Sequence, residues 1–262
     1  PPQSVPRQCR APFQTLRKLL LMTRSFRIGQ IVPSSNTTME TEIPALLTAR
    51  QTILPERFTF HSSRMRMKTV RKEELAAMDA QSDRCALELS DARMDVMGYA
   101  CLVAIMSMGH GYHRTSSERL HQVTVSNGGP CPVVTSAGAL CDALGVIGAK
   151  RVALVAPYMK PLTEMVVDYI QNEGYEVAIW RALEIPDNLE VGRHDPAKLP
   201  GIVSEMNVGD VDAIILPSVG LVEAMTGKPV ITAAISTTYA MLKELGLERR
   251  VPGAGALLSG AY

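Results

Sequence analysis

The sequence predicts an α/β protein of two pseudo-symmetric lobes, each built on a parallel sheet, with a site between them. Two observations carry this. Short apolar runs alternate with helical stretches along the chain, which is the pattern of parallel β–α units. The halves also repeat. RIGQIVP at 27–33 and RVALVAP at 151–157 are equivalent strand-then-proline units, and each is followed some sixty-odd residues later by an Asp-led strand, MDVMGYAC at 94–101 and VDAIILPS at 211–218. That period is far above the ~50 residues that bound a solenoid, so the repeat reads as two lobes facing each other.

In order, residues 26–32 (FRIGQIV) read as the first strand. It ends in Pro33-Ser34-Ser35-Asn36-Thr37-Thr38, whose hydroxyls and amide are natural caps for a following helix that Pro44 bends or shortens. Residues 58–65 form a second strand. The clearest helix is 73–92, with Leu75, Met78, Ser82, Cys85 and Leu89 on one face. Residues 94–100 follow as a buried strand that delivers Cys101 at its C-terminal end. The second series is strand 132–135, helix 136–149, strand 151–156 ending in Pro157-Tyr158-Met159-Lys160, helix 161–174 and strand 175–180. An irregular 187–194 loop, helix 196–207, strand 211–216, strand 230–234 and helix 236–245 complete it. The first lobe is expected to hold 22–134 with 230–262, and the second 135–229. Loops at 33–38, 101–103, 157–160 and 217–219 converge beyond the carboxyl ends of the strands, where open α/β sheets place ligands.

With 262 residues, 46% apolar and 20% charged, the composition is that of an ordinary globular protein. An aromatic content of 5% argues against a base-stacking surface. The net charge is +1, but residues 1–21 carry Arg7, Arg10, Arg17 and Lys18 and no acid, so the remainder sums to −3. A slightly acidic body is a poor polyanion binder, and no nucleic-acid partner is expected. No apolar run approaches the ~18 residues of a membrane span, and no signal peptide is legible. Residues 1–21 are expected to be a non-native or disordered extension ahead of a start at Met22, with a transit peptide as the other reading. Five cysteines without close pairing fit reduced thiols in the cytoplasm, and none has metal-site spacing.

Cys101 is the main chemical candidate. A thiol at a strand's end can face a cleft, with nearby backbone N–H groups lowering its pKa; the alternative is a buried hydrophobic cysteine. Cys85 and Cys141 sit on apolar helix faces, and Cys131 lies between two prolines. Pro33–Thr38 offers an anion-binding concavity without Lys or Arg, or plain helix capping. Tyr158 is placed to donate to a carboxylate, or to pack on its loop. Asn188 is such a donor or a turn residue, His110 and His113 are acid–base candidates or loop surface, and Thr237-Thr238-Tyr239 begins the last helix. No Gly-rich phosphate loop follows the first strand, which disfavours a nucleotide binder.

These residues resemble a known family. IGQIVPSSNTTMETEIPALL, GYACLVAIMSMG, APYMKPL, DNLEVG and VPGAGALLSGAY are similar to the maleate cis–trans isomerases of the aspartate/glutamate racemase superfamily, from Thr23 to Tyr262. The resemblance implies two flavodoxin-like lobes with an interlobe active site, no cofactor, no metal, a homo-oligomer, a small dicarboxylate substrate and a place in nicotinate degradation. It implies Cys101 as nucleophile, Asn36, Tyr158 and Asn188 as substrate-binding residues, and Pro33, Ser34, Leu102 and Val103 lining the pocket. The implied reaction is isomerisation of maleate to fumarate through a covalent cysteine adduct. A racemase or decarboxylase of the same superfamily, or a non-catalytic dicarboxylate binder, are the alternatives, told apart by loss of alkene geometry, release of carbon dioxide, or neither. One departure stands out. The family carries Ser-Ala-Cys-Val-Gln-Met-Pro-Ser after the second Asp-led strand, whereas Leu216 here runs into Pro217-Ser218-Val219, and no cysteine follows Cys141. About nine residues are absent. Either the polypeptide lacks them, or the sequence omits a disordered loop and is numbered across the gap. The intact surroundings favour omission, and with it an open form without ligand. An intact mass equal to the sequence refutes it.

Overall fold

The computed structural model describes residues 25–218 and 222–262, so the expected extension at 1–21 lies outside the described residues. Among the described residues eight strands form two four-stranded sheets. The first has the order β2-β1-β3-β4, from β1 (Ser25–Pro33), β2 (Arg57–Met65), β3 (Val96–Tyr99) and β4 (Val133–Thr135). The second repeats it as β6-β5-β7-β8, from β5 (Arg151–Ala156), β6 (Glu176–Ala182), β7 (Ala213–Ile215) and β8 (Val230–Ile231). Every pairing is parallel. A parallel sheet is covered on both faces, so its central strands read as unbroken apolar runs; Ile28, Ile31 and Val32 in β1 and Val152 and Leu154 in β5 are buried.

Helices α1 (Thr38–Arg50), α2 (Lys72–Asp79), α3 (Ser82–Asp91), α4 (Leu102–Ser107) and α5 (Tyr112–Ser126) belong to the first half. The single helix expected at 73–92 is two. The break falls at Asp79, which turns inward to accept hydrogen bonds from the hydroxyls of Tyr99 (2.8 Å) and Tyr112 (2.6 Å), while Ser82 Oγ donates to the Asp79 carbonyl (2.6 Å). A buried carboxylate must find such donors, and here that need overrides helical continuity. The helices at 102–107 and 112–126 have no counterpart in the sequence reading, because the first is a short run that is apolar almost all round and polar residues thin the apolar stripe of the second.

Then come α6 (Ser136–Val146), α7 (Lys160–Asn172), α8 (Asn188–Arg193), α9 (Leu199–Ser204), α10 (Val222–Thr226) and α11 (Ala233–Glu244). The last helix begins three residues before the expected 236. Thr232 caps it, its Oγ1 accepting from the Ile235 N–H (3.1 Å), which leaves Thr237, Thr238 and Tyr239 inside the helix. Helix α11 returns to the first lobe. It lies so close on β3 that a Cβ on Gly98 would fall 2.3 Å from Met241 Cε. β8, by contrast, extends the second sheet, so the return starts after Ile231 and not at the expected residue 230. The backbone runs directly from Leu216 into Pro217 and Ser218.

Candidate active site

The carboxyl ends of β1, β3, β5 and β7 open on one cavity of about 110 Å³ between the sheets. By the sheet orders, β3 and β7 are equivalent strands, so Cys101 after β3 and Leu216-Pro217 after β7 occupy equivalent positions on its wall.

Cys101 is the extended residue (φ −148°, ψ 99°) on which α4 begins. It is buried yet lines the cavity. Burial pushes its thiol up to about 12; the Ala104 N–H opposes this and the buried Asp79 carboxylate adds to it. The expectation of a lowered pKa is therefore corrected. The wall is largely apolar and among the described residues no Lys or Arg lines it, so withdrawal from water dominates a single backbone donor.

Pro33 and Asn36 line the cavity, as do Leu102 and Val103. Asn36 Oδ1 accepts from the Met39 N–H (3.3 Å), and among the described residues its Nδ2 has no partner. Ser34 does not reach the wall. Its Oγ donates to Met67 O (3.1 Å) and accepts from Met67 N–H (3.0 Å), a two-way link across the ends of β1 and β2 that turns the hydroxyl from the cavity. Arg64, unremarked in the sequence, braces this loop by donating to the carbonyls of Ser34 (3.1 Å) and Asn36 (2.8 Å) while paired with Glu40.

From the other lobe come Tyr158 and Asn188. Burial, and then the nearby Cys101, raise the Tyr158 phenol above its ordinary range, so it stays a neutral donor. Asn188 is buried at the start of α8, which Asp187 caps by accepting from the N–H groups of Leu189 and Glu190. Asn188 Nδ2 donates to Ser35 Oγ of the first lobe (3.0 Å), leaving one N–H for a ligand. Among the described residues no Lys or Arg lines the cavity.

Other candidates lie elsewhere. His110 pairs with exposed Asp168 (2.6 Å), and buried His113 meets the Tyr169 hydroxyl (2.5 Å); neither lines the cavity. Cys85, Cys131 and Cys141 are buried away from it. Among the described residues no group of three or more His, Cys, Asp or Glu forms a metal site. Two polar wall residues escaped the sequence reading. Ser136 is fully buried with an unpartnered hydroxyl. Glu42 sits on α1 beside the stripe of Met39, Ile43 and Leu47, and a carboxylate three residues from one buried side chain and one from the next was the available signal.

Paired parallel lobes with a thiol at their shared cavity define the aspartate/glutamate racemase-like class, and the arylmalonate decarboxylase family profile matches residues 28–258. Within that class the chain belongs to the maleate isomerase family. It is 71% identical over 250 residues to maleate isomerase of Pseudomonas putida KT2440, covering 92% of this chain and all of the relative. Since 92% of 262 residues is about 241, about nine of the 250 aligned positions have no counterpart here, the size of the shortfall read after Leu216. Among solved structures, a cysteine-to-alanine variant of maleate isomerase from Pseudomonas putida S16 with maleate superposes with a TM-score of 0.90 at 67% identity, covering 91% of this chain and 99% of that one. A cysteine-to-serine variant of the Nocardia farcinica maleate cis–trans isomerase, with a covalently bound succinylcysteine intermediate, superposes at 0.87 and 44% identity, covering 91% and 100%.

Proposed function

We propose that this chain isomerises maleate to fumarate, with Cys101 as the nucleophile and Asn36, Tyr158 and Asn188 holding the substrate. The supporting observation is that these four residues, drawn from both lobes, line one cavity. At about 110 Å³ it has room for roughly four waters' worth of volume, the scale of a four-carbon dicarboxylate. The succinylcysteine in the Nocardia farcinica relative supports the covalent step.

The barrier to the reaction is the π bond, which blocks rotation. When the Cys101 sulfur, its proton given up to leave the thiolate, bonds to C2, the π electrons move to C3 and into its carboxylate as an enediolate. The remaining C2–C3 single bond turns by about half a revolution. The electrons then re-form the double bond and the C–S bond breaks, returning its pair to sulfur. Asn36 Nδ2, the Tyr158 hydroxyl and the spare Asn188 N–H are the donors for the growing carboxylate charge. A wall without cations holds the dianion by aimed dipoles, which suits one carboxylate swinging while the other stays bound.

The buried, unpaired thiols of Cys85, Cys101, Cys131 and Cys141 support a reducing, cytoplasmic setting. No helix among the described residues is long and apolar enough to cross a membrane. A homo-oligomer and a place in nicotinate degradation rest on family resemblance alone. The test is incubation with maleate, followed by proton NMR for fumarate and by intact mass for chain length and a Cys101 adduct. Absence of both product and adduct sinks the reading.

A further inference from the structure

We infer that the Ser136 hydroxyl is a further substrate donor of this cavity, holding the carboxylate on the carbon that Cys101 attacks. The inference rests on the isomerase reading and deepens it.

Buried polar groups are nearly always hydrogen-bonded, because an unpaired one gives up its hydration without return. Of the buried side-chain polar atoms without a partner among the described residues, Ser136 Oγ is the one that belongs to the cavity wall. Asn36, Asn188 and Glu42, also on the wall, are each tied to the protein: Asn36 Oδ1 accepts from Met39 N–H, Asn188 Nδ2 donates to Ser35 Oγ, and Glu42 Oε1 accepts from Ser218 Oγ (3.3 Å). Ser136 has no task in its own helix either. The residue before it, Thr135, caps α6, its Oγ1 accepting from the Gly138 N–H (3.1 Å). Buried helical serines elsewhere donate to a carbonyl three or four residues back, as Ser107 and Ser236 do. Ser136 is the first residue of its helix and follows a strand, so no turn lies behind it.

The direction of the side chain follows from helix geometry. Residues four apart share a helix face, and Leu140 also lines the cavity, so Ser136 sits on the cavity side of α6. Gly138 lies on another side, where a Cβ would fall 2.9 Å from His113 Cδ2. The amino end of this eleven-residue helix favours an anion.

Sheet register places the hydroxyl beside the sulfur. β3 and β4 are parallel neighbours with Tyr99 beside Thr135, so Ser136 lies one residue beyond that pair and Cys101 two. Neighbouring strands run about 4.8 Å apart. Ser136 is therefore on the sulfur's side, whereas Tyr158 and Asn188 reach in from the other lobe. Once the C2–S bond forms, the C2 carboxylate is two bonds from sulfur, which brings it to this side. Its charge stays constant, since the π electrons move to C3 and the carboxylate there. Ser136 thus holds ground state and transition state alike, and acts on KM more than on kcat.

The experiment compares the full-length wild type with Ser136→Ala by fumarate NMR and by thermal melts without ligand and with succinate, the saturated four-carbon dicarboxylate that sulfur cannot attack. The variant is expected to lose about ten- to a hundredfold in kcat/KM, mostly through a raised KM, as for a hydrogen bond to a charged group. Its rise in Tm with succinate should shrink, while its ligand-free Tm holds or increases because an unpaired hydroxyl has been removed. A Ser136→Ala enzyme within about threefold of wild type in kcat/KM overturns the inference and leaves the isomerase reading standing. A loss confined to kcat takes the hydroxyl off the C2 carboxylate and overturns it as well. So does a ligand-free Tm lowered by more than about 5 °C, which would show that the hydroxyl serves the fold. A wild type without fumarate or adduct ends the isomerase reading, and a succinate shift lost in Ser136→Ala would still uphold the carboxylate contact.

Discussion

Replacing Glu42 by glutamine should stabilise the fold, and increasingly so as the pH rises. The carboxyl titrates at 4.5 in the unfolded chain and at about 7 in the folded one, raised by burial. Below 4.5 it is neutral in both states and exerts no pH-dependent effect. Between 4.5 and 7 the unfolded chain ionises first, so stability is lost progressively; above 7 the loss is complete. A shift of some 2.5 units corresponds to about 3 kcal/mol at most, since a half-buried carboxyl is partly relaxed by solvent. Glutamine removes that penalty while keeping shape and the Ser218 contact. Melts of the two proteins at about pH 5 and about pH 8.5, at matched ionic strength, should show the gap in favour of Glu42→Gln widening by about 2–3 kcal/mol, or roughly 5–10 °C in Tm. A gap that does not change with pH would show that Glu42 is not held neutral by its surroundings, and the argument for its raised pKa would collapse.

Other expectations are more direct. Cys101→Ala should abolish both turnover and the maleate adduct, read by NMR and intact mass; substantial residual isomerisation removes Cys101 from the chemistry. Because burial holds the Cys101 thiol at about 12, its alkylation by iodoacetamide in the ligand-free protein should be slow at neutral pH and climb about tenfold per pH unit, as followed by peptide mass mapping. Tyr158→Phe removes one donor to the developing carboxylate charge and should lower kcat/KM by about ten- to a thousandfold without a comparable change in Tm. Asp79→Asn places an amide N–H against hydroxyls that already donate from Tyr99 and Tyr112, and should cost about 2–4 kcal/mol in urea denaturation; a loss under about 0.5 kcal/mol would contradict the network.

Local patterns made much of this molecule legible. The alternation of apolar runs with helices, and the echo of RIGQIVP in RVALVAP, were enough for two parallel-sheet lobes, since a strand covered on both faces writes its burial into consecutive residues. Cys101 at the end of one such strand, and the loops after others that hold Asn36 and Tyr158, could be placed because parallel sheets present their carboxyl ends to ligands, whereas the binding roles of Asn36, Tyr158 and Asn188 came from the family resemblance. What no local window contained were the partners each side chain meets after folding. Met67 turns Ser34 away from the cavity, Asp79 divides a helix to reach Tyr99 and Tyr112, and an apolar wall raises the Cys101 thiol where a lone backbone donor had promised to lower it. Glu42 is the clearest instance. In the sequence it is one acid among many on a helix; only the meeting of two lobes distant in the chain withdraws it from water and sets it on the wall that Cys101 shares, and a pKa depends on that assembled surround.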